Sequence, residues 1–329
     1  MRVALIGYRR HSARILGLLA GFDQVPQVAV FHPDPAKLAQ VDLTSIHAGA
    51  RPTSDADDLR GHDAVLIASP TETHVPYIDE LIEDVPYLFC EKPPAATDAE
   101  VQRLGAFEPS KKRRLHFNFN YRFSALGKQA REAIDSGRLG RPLHFDFASA
   151  HGLAFKSGFR DDWRAKPLSP LSGIFGNVGV HYVDLCLWLL GDLEEVKLSQ
   201  STSSSETRTA DSASAFLRFR NGATASIFTS YAAPFVNQAR LVFNDGILRL
   251  DDGRVQLLTP RDTFDNSGLF ATPPATDLRD GTSREFFDES LRESLAYFLN
   301  IASSGGSFNE RNFDLSVRSN ATVLSVTAS

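Results

Sequence analysis

The chain of 329 residues carries 35 Lys and Arg against 40 Asp and Glu, a net charge of −5, and 42% of its residues are hydrophobic. This length suggests about two domains, and the composition is not that of a disordered chain. Mild acidity argues against nucleic-acid binding, and the lack of a run of about 18 apolar residues argues against a transmembrane helix. The first strand begins without a signal peptide's apolar core, and Cys90 and Cys186 lie in apolar runs. We therefore expect a cytoplasmic protein with buried, reduced thiols.

The first third of the chain alternates short apolar runs with segments of helical periodicity. The runs at residues 2–7, 28–31, 63–68, 87–90 and 115–121 predict strands. Helices are predicted between them, one of which opens with a capping box of Thr97 and Glu100. Continuous apolar strands separated by helices are typical of a parallel sheet covered on both faces. Residues 1–122 therefore predict an α/β, Rossmann-type doubly wound domain.

The rest of the chain shows the polar–apolar alternation of antiparallel strands. A helix is predicted from about residue 124 to 135, ended by Gly137. Asn-Gly at 221–222 and Asp-Gly at 245–246 lie between alternating segments and predict two hairpins. The serine-rich stretch 199–205 is predicted to close an edge strand, and residues 262–284 to form a long loop. Residues 123–329 are thus expected to form an α+β domain.

The turn after the first predicted strand is where a Rossmann domain holds a pyrophosphate on Gly-x-Gly-x-x-Gly. Here the segment runs Gly-Tyr-Arg-Arg-His-Ser from Gly7 to Ser12. Ser12 at the third position still permits close packing of helix and strand. Arg9 at the second places a side chain where the backbone normally approaches the phosphates. This segment alone leaves two interpretations open, dinucleotide binding and a plain strand-to-helix turn with solvated arginines.

The end of the second predicted strand bears on the choice of cofactor. NAD-binding domains usually have an acidic residue there for the ribose hydroxyls. This chain has His32, with Arg9, Arg10 and Lys37 as basic neighbours in the predicted arrangement. Because a basic surround suits a 2′-phosphate, the sequence favours NADP over NAD.

Four later segments carry more specific signals. They are Ala-Ser-Pro-Thr-Glu-Thr-His at 68–74, Cys-Glu-Lys-Pro-Pro at 90–94, Asn-Tyr-Arg-Phe at 120–123, and the stretch 162–191 that contains Asn177, His181 and Asp184. With these segments the chain resembles the Gfo/Idh/MocA oxidoreductases, which include glucose–fructose oxidoreductase and inositol dehydrogenase. The Glu-Lys-Pro strand end and the later His-x-x-Asp helix are the most specific motifs. The resemblance spans essentially the whole chain.

The resemblance implies an NAD- or NADP-dependent dehydrogenase or reductase acting on a secondary alcohol of a sugar, cyclitol or sugar derivative. It also implies a large, open-faced, mainly antiparallel C-terminal sheet through which a homodimer or homotetramer forms. Lys92 matches the catalytic lysine beside the nicotinamide, and His181 matches the histidine that transfers the hydroxyl proton. Asn177 stands where many members have an aspartate, and Asn-x-Gly-x-His is similar to the sugar-nucleotide 3-dehydrogenases; Asn177 is assigned to orient the substrate.

The remaining predicted contacts divide by ligand. The predicted cofactor contacts are Gly7, Arg9, Arg10, Ser12, His32, Ser69, Pro70, Thr71, His74, Glu91 and Lys92. The predicted substrate contacts are Asn120, Tyr121, Arg122, Trp163, Arg164, Lys166 and Asp184.

The residue types agree with this chemistry. Asn177, His181 and Asp184 are spaced i, i+4 and i+7, which places them on one face of a helix. A histidine supplies a base of near-neutral pKa, and Lys92 supplies a cation for a developing alkoxide. No companion pair accompanies His-x-x-Asp, so no metal is predicted.

Two other interpretations remain open. A histidine in an apolar run is often only a satisfied core residue, and this applies to His181. The whole chain can also be interpreted as a catalytically inactive family member whose cofactor loop is degenerate. Such a protein would bind a sugar or a partner protein. Arg9, Ser12 and His32 motivate that alternative, and the retention of both Lys92 and His181 argues against it.

Overall fold

The computed structural model of the protein describes residues 1–327. The chain divides into two compact units, one of Met1–Phe119 with Arg292–Asn320, and one of Asn120–Leu291 with residues 321–327. The first unit therefore contains the C-terminal segment Arg292–Asn320 in addition to its N-terminal residues.

Strands and helices follow one another along residues 1–327. The strands are β1 (Arg2–Ile6), β2 (Gln27–Phe31), β3 (Ala50–Thr53), β4 (Ala64–Ile67), β5 (Tyr87–Glu91), β6 (Leu115–Asn118), β7 (Pro142–Ala150), β8 (Leu193–Ser201), β9 (Ser212–Phe219), β10 (Thr224–Ser230), β11 (Val236–Phe243), β12 (Ile247–Asp251), β13 (Arg254–Leu258) and β14 (Ala275–Arg279). The α-helices are α1 (Arg10–Leu19), α2 (Ala56–Arg60), α3 (His74–Leu81), α4 (Asp98–Gly105), α5 (Pro109–Lys112), α6 (Ala125–Ser136), α7 (Val180–Leu190), α8 (Ser283–Ser304) and α9 (Glu310–Thr327).

The first unit contains a six-stranded parallel sheet of order β3-β2-β1-β4-β5-β6. Its strands are buried along almost their whole length, which is why they appear in the sequence as continuous apolar runs. The predicted Rossmann-type fold is confirmed, as is the capping box of Thr97 and Glu100. Strand β3 was not predicted, because this edge strand has an exposed Arg51 and a proline at residue 52. In a parallel sheet all carboxyl ends lie at one edge, so the turns after β1, β4 and β5 are neighbours.

The second unit contains an eight-stranded sheet of order β14-β13-β12-β11-β7-β10-β9-β8. Neighbouring strands are antiparallel except β7 and β10, and the hairpins β9–β10 and β11–β12 are confirmed. The strand β8 lies at an edge, as predicted from the serine-rich stretch. The predicted loop 262–284 is wrong in part, because β14 and the start of α8 fall within it; β14 is an exposed edge strand without an apolar face.

One face of this sheet is packed and the other is open. Phe145 and Phe147 on β7 are fully buried, and Phe147 packs on Tyr182 of α7 with ring centroids 4.9 Å apart. On the opposite face Phe216 and Phe228 are 40% and 39% exposed. The predicted open-faced, mainly antiparallel sheet is therefore confirmed.

Two further predictions concern helix ends and cysteines. Ser124 caps α6 by accepting a hydrogen bond from the backbone N–H of Gly127, and Gly137 ends this helix with φ +67°. Within residues 1–327 both Cys90 and Cys186 are buried and outside any disulfide. None of the helices in this part of the chain is long and apolar enough to cross a membrane.

Candidate functional site

The turn from β1 to α1 keeps the close packing of a dinucleotide-binding turn. Gly7 has φ +93°, and a Cβ added there would lie 3.0 Å from the carbonyl oxygen of Ala68. Ser12 is buried, and its hydroxyl donates to the same carbonyl over 3.0 Å. The buried Ser12 side chain therefore joins helix α1 to the residue that follows strand β4.

The N-terminus of α1 is open to an anion. Arg9 occupies the N-cap position with an extended backbone and makes no capping hydrogen bond through its side chain. The first turn has no acidic residue within the described chain, and the side chains of Arg9 and Arg10 are exposed. Backbone N–H groups at a helix N-terminus attract negative charge, and two arginines add to this potential.

At the end of β2, His32 is half-buried and its Nδ1 accepts a hydrogen bond from the backbone N–H of Asp34 over 3.0 Å. Asp34 itself caps the following turn by accepting from the N–H of Ala36. Lys37 ends that turn and is exposed. The position that often holds a ribose-binding carboxylate thus holds an imidazole, and Lys37 lies in the turn that follows.

The end of β5 carries a buried carboxylate next to Lys92. Glu91 Oε1 lies 2.8 Å from His11 Nε2 and accepts a hydrogen bond from Asn118 Nδ2 over 2.6 Å. Burial raises the pKa of Glu91, but His11, Asn118 and Lys92 together outweigh it, so its pKa is lowered and it stays ionised. Lys92 follows as a half-buried residue at the carboxyl edge of the sheet. The contacts of His11 and Asn118 with Glu91 were not predicted, since no pattern of neighbouring residues identifies a histidine or asparagine as the partner of a distant carboxylate.

The segment between β4 and α3 is held by its own hydrogen bonds. Ser69 and Thr73 pair through their hydroxyls over 2.6 Å, while Pro70 and Thr71 are half-buried. His74 is only 1% exposed, with Nδ1 2.8 Å from the Pro93 carbonyl oxygen and Nε2 3.0 Å from that of Ser69. The structure therefore places this predicted cofactor ligand between two backbone segments.

In the second unit a π-helical turn, Phe175–Gly179, runs directly into α7. Side chains at Gly176 and Gly179 would collide with the Leu171 carbonyl and the Phe175 ring, which explains the glycines of this motif. The wider π turn moves Asn177 out of line with the helix that follows it. Asn177 Nδ2 donates to the hydroxyl of Tyr231 at the end of β10.

His181 and Asp184 on α7 instead contact the 3₁₀ turn Asn120–Phe123. The His181 ring stacks on Tyr121, with centroids 4.7 Å apart and planes at 26°. Arg122 forms a two-pronged ion pair with Asp184, from Nε to Oδ2 over 2.8 Å and from Nη2 to Oδ1 over 2.5 Å. Asn177 thus bonds Tyr231 beyond β10, while His181 and Asp184 contact the 3₁₀ turn.

Four of the seven predicted substrate residues, Asn120, Tyr121, Arg122 and Asp184, make contacts inside the second unit, and the other three lie in a more exposed segment. Asn120, 1% exposed, donates to the Ser290 hydroxyl over 2.7 Å. The Arg164 guanidinium lies 4.6 Å from the centroid of the Trp163 ring, which is 42% exposed. Lys166 is exposed.

Two aromatic residues near Asn177 were not predicted. The rings of His151 and Tyr231 lie 5.2 Å apart. Burial, followed by the charges of Arg164 and Lys156, lowers the pKa of His151. Burial raises the pKa of Tyr231, opposed by its bond to Asn177. Both residues stand just beyond strand ends, which was the only signal in the sequence.

Two segments of the chain match models of known protein domains. Residues 1–119 match the oxidoreductase family with an NAD-binding Rossmann fold, and residues 128–249 match the GFO/IDH/MocA C-terminal domain. The chain therefore belongs to the Gfo/Idh/MocA family of NAD-binding oxidoreductases, and the resemblance seen in the sequence is confirmed.

The relatives that match this chain include dehydrogenases. Myo-inositol 2-dehydrogenase of Thermotoga maritima is 31% identical over 189 residues, which cover 54% of this chain and 53% of that protein. Inositol 2-dehydrogenase 1 of Saccharopolyspora erythraea is 33% identical over 180 residues, covering 54% and 44%. The match thus spans about half the length of these relatives. A solved structure of levoglucosan dehydrogenase, in complex with NADH and levoglucosan, shares the fold with a TM-score of 0.79 at 20% identity, covering 100% of this chain and 97% of that one.

Proposed function

We propose that this chain is an NAD(P)-dependent dehydrogenase that transfers a hydride to or from a secondary alcohol of a sugar, cyclitol or sugar derivative. The observation that carries the proposal is the set of groups at the carboxyl edge of the parallel sheet: the open N-terminus of α1, the Ser69 segment and Lys92. Ligands of open α/β sheets bind at this edge where the strand order reverses, which here is between β1 and β4. Relatives named as inositol and levoglucosan dehydrogenases support the substrate class.

The residues at this edge fit a dinucleotide. The first turn of α1, with Arg9 and Arg10, would hold the pyrophosphate through backbone N–H groups and charge-assisted hydrogen bonds. We further propose that NADP is preferred, because His32 and Lys37 would pair with a 2′-phosphate where a carboxylate would repel it. When bound, the nicotinamide accepts or supplies the hydride.

The proposed chemistry assigns separate tasks to the protein side chains. Lys92 stabilises the alkoxide that develops on the substrate oxygen. His181 accepts the hydroxyl proton during oxidation and returns it during reduction, a task worth ~10²–10⁴-fold for a positioned base. Tyr121 holds the plane of the His181 ring by stacking. Asn177, held by Tyr231, orients the substrate through hydrogen bonds.

We also propose that the protein works in the cytoplasm as a homodimer or homotetramer. Its buried free thiols suit a reducing compartment. Phe216 and Phe228 on the open face of the eight-stranded sheet are large apolar side chains that association would cover.

The deciding experiment is a titration of the protein with NADH and NADPH in turn, read by calorimetry, followed by turnover on a panel of sugars and cyclitols. We expect micromolar affinity for at least one cofactor, with NADPH preferred. His32→Asp should reverse that preference, and His144→Gln, on β7 of the other unit, should leave it unchanged. If neither cofactor binds at millimolar concentration, the proposed enzymatic function is refuted, and the inactive sugar- or partner-binding protein is favoured.

A further inference from the structure

His74, the first residue of α3, joins two neighbouring turns at the carboxyl edge of the parallel sheet. Its ring nitrogens lie 2.8 Å from the Pro93 carbonyl oxygen and 3.0 Å from the Ser69 carbonyl oxygen. A carbonyl oxygen only accepts hydrogen bonds, and a neutral imidazole has a single N–H. Both hydrogen bonds therefore exist together only when His74 is doubly protonated.

The surroundings of His74 set two opposing influences on its charge. Burial lowers its pKa, while the two carbonyl groups and the carboxylates of Glu91 and Glu72 favour the charged form. Glu91 is ionised and bonded to Asn118 and His11 on its other sides. Burial prevails, so the pKa of His74 lies below its ordinary value of 6.5. At neutral pH the ring then holds one of the two turns, and below its pKa it holds both.

The two turns joined by His74 carry groups assigned to the cofactor. Ser69 follows β4, and the carbonyl oxygen of the preceding residue, Ala68, accepts the hydrogen bond of Ser12 in the first turn of α1. Pro93 follows Lys92 directly. The next fixed point of that turn is the backbone N–H of Ala95, which donates to Asn320 Oδ1 over 2.7 Å. A bond to the Pro93 carbonyl thus acts next to Lys92, between Glu91 and the anchored Ala95.

We propose that His74 is a positioning residue: its second proton locks the turn of Lys92 to the turn of Ser69, and binding of the dinucleotide takes up that proton. The inference rests on the proposed function, because it assumes that this edge binds the cofactor. If the locked arrangement binds better, linkage requires that binding favour the imidazolium. Affinity then rises as the pH falls, by about two- to tenfold, the factor expected for one hydrogen bond.

The test measures proton uptake and affinity together. NAD⁺ and NADP⁺, which withstand mild acid, are titrated calorimetrically from about pH 8 to about pH 5 in buffers of different ionisation enthalpy. The wild type is compared with His74→Gln, which keeps a donor and an acceptor but cannot titrate. The matched control is His62→Gln, since His62 is another buried histidine of the first unit. It precedes β4, at the end of the strand opposite Ser69, and bonds the backbone carbonyl of Asp58. Protons that the 2′-phosphate of NADP⁺ exchanges contribute equally with each protein, so they cancel when the proteins are compared.

We expect the wild type and His62→Gln to take up the same number of protons on binding and to gain affinity equally as the pH falls. His74→Gln should take up fewer protons and gain less affinity. Equal uptake in all three proteins would overturn the inference. Binding that is independent of pH in the wild type would overturn it while leaving the proposed function intact, whereas absence of binding at every pH would overturn both. If His74→Gln does not fold, ¹⁵N spectra of the histidine-labelled wild type decide: we expect one buried imidazole to gain its second proton between about pH 8 and 5 when the cofactor is bound. A ring that stays neutral throughout would refute the proposal.

Discussion

The ion pair of Arg122 and Asp184 provides the sharpest test of how the second unit holds its site. The two side chains are 7% and 1% exposed and meet through two charge-assisted hydrogen bonds. Asp184 lies one turn beyond His181 on α7, and Arg122 is next to Tyr121, on which the His181 ring stacks. The pair therefore fixes α7 to the 3₁₀ turn one helical turn beyond the proposed base. Asp184→Ala leaves the guanidinium buried with neither of these bonds.

The size of the effect follows from burial. Removing one partner of a buried pair costs about 3–5 kcal/mol, because the remaining charge stays desolvated. For a unit of this size we expect a fall in Tm of roughly 6–20 °C, from about 2–4 °C per kcal/mol. Replacing both residues by apolar ones, Arg122→Met with Asp184→Leu, should recover much of the loss, since no unpaired charge remains.

The assay uses the distribution of tryptophan. The two tryptophans of the chain, Trp163 and Trp188, both lie in the second unit, so their fluorescence during urea unfolding reports on that unit. Glu206→Ala serves as the control, because its pair with Arg160 is largely exposed and should be worth less than about 1 kcal/mol. If Asp184→Ala costs no more than this control, the pair does not stabilise the unit as argued. If the double variant is as unstable as the single one, the unpaired charge is not the cause.

Three other substitutions test the two units. Lys92→Ala should lower kcat by about a hundredfold or more with cofactor affinity largely retained in a titration, since a cation at the alkoxide acts in the transition state; wild-type turnover would refute its role. Glu91→Gln should destabilise the protein at neutral pH. Because the pKa of Glu91 is lowered in the folded state, this difference should be full above pH 4.5 and vanish as the pH falls further, measured by urea unfolding followed by circular dichroism; an equal difference in acid would contradict it. Tyr231→Phe removes the acceptor of Asn177, costs about 0.5–1.5 kcal/mol, and should raise KM for the substrate without changing cofactor affinity; an unchanged KM would show that Asn177 is oriented by other means.

The sequence predicted those parts of the fold that depend on neighbouring residues. Asn-Gly and Asp-Gly turns set the two hairpins, and Thr97 with Glu100 set the start of α4, because each signal acts within a few residues. Strands β3 and β14 escaped prediction, since edge strands bury little and carry no apolar pattern. Their pairing is decided by the neighbouring strand.

The candidate sites were predictable as positions but not as contacts. Lys92 and His181 could be placed by motif and remain predictions as catalytic groups. The bond of Asp184 to Arg122 joins residues 62 apart in sequence, and that of Glu91 to His11 joins residues 80 apart. Pairings of this kind depend on tertiary packing, which no local pattern encodes.

The turn from Gly7 to Ser12 is better explained as a dinucleotide-binding turn with an altered phosphate contact than as a degenerate turn. The glycine motif has three tasks, namely a tight turn, close approach of the backbone to phosphate, and close packing of helix on strand. Gly7 retains the first with its positive φ, and Ser12 retains the third through its bond to Ala68. Only the second task changes, where Arg9 adds an exposed guanidinium with five donors beside the helix N-terminus. A turn released from selection would lose its packing residues as readily as its phosphate contact. The retained packing therefore favours a cofactor held partly by side-chain charge, an interaction that salt weakens more than it weakens backbone hydrogen bonds.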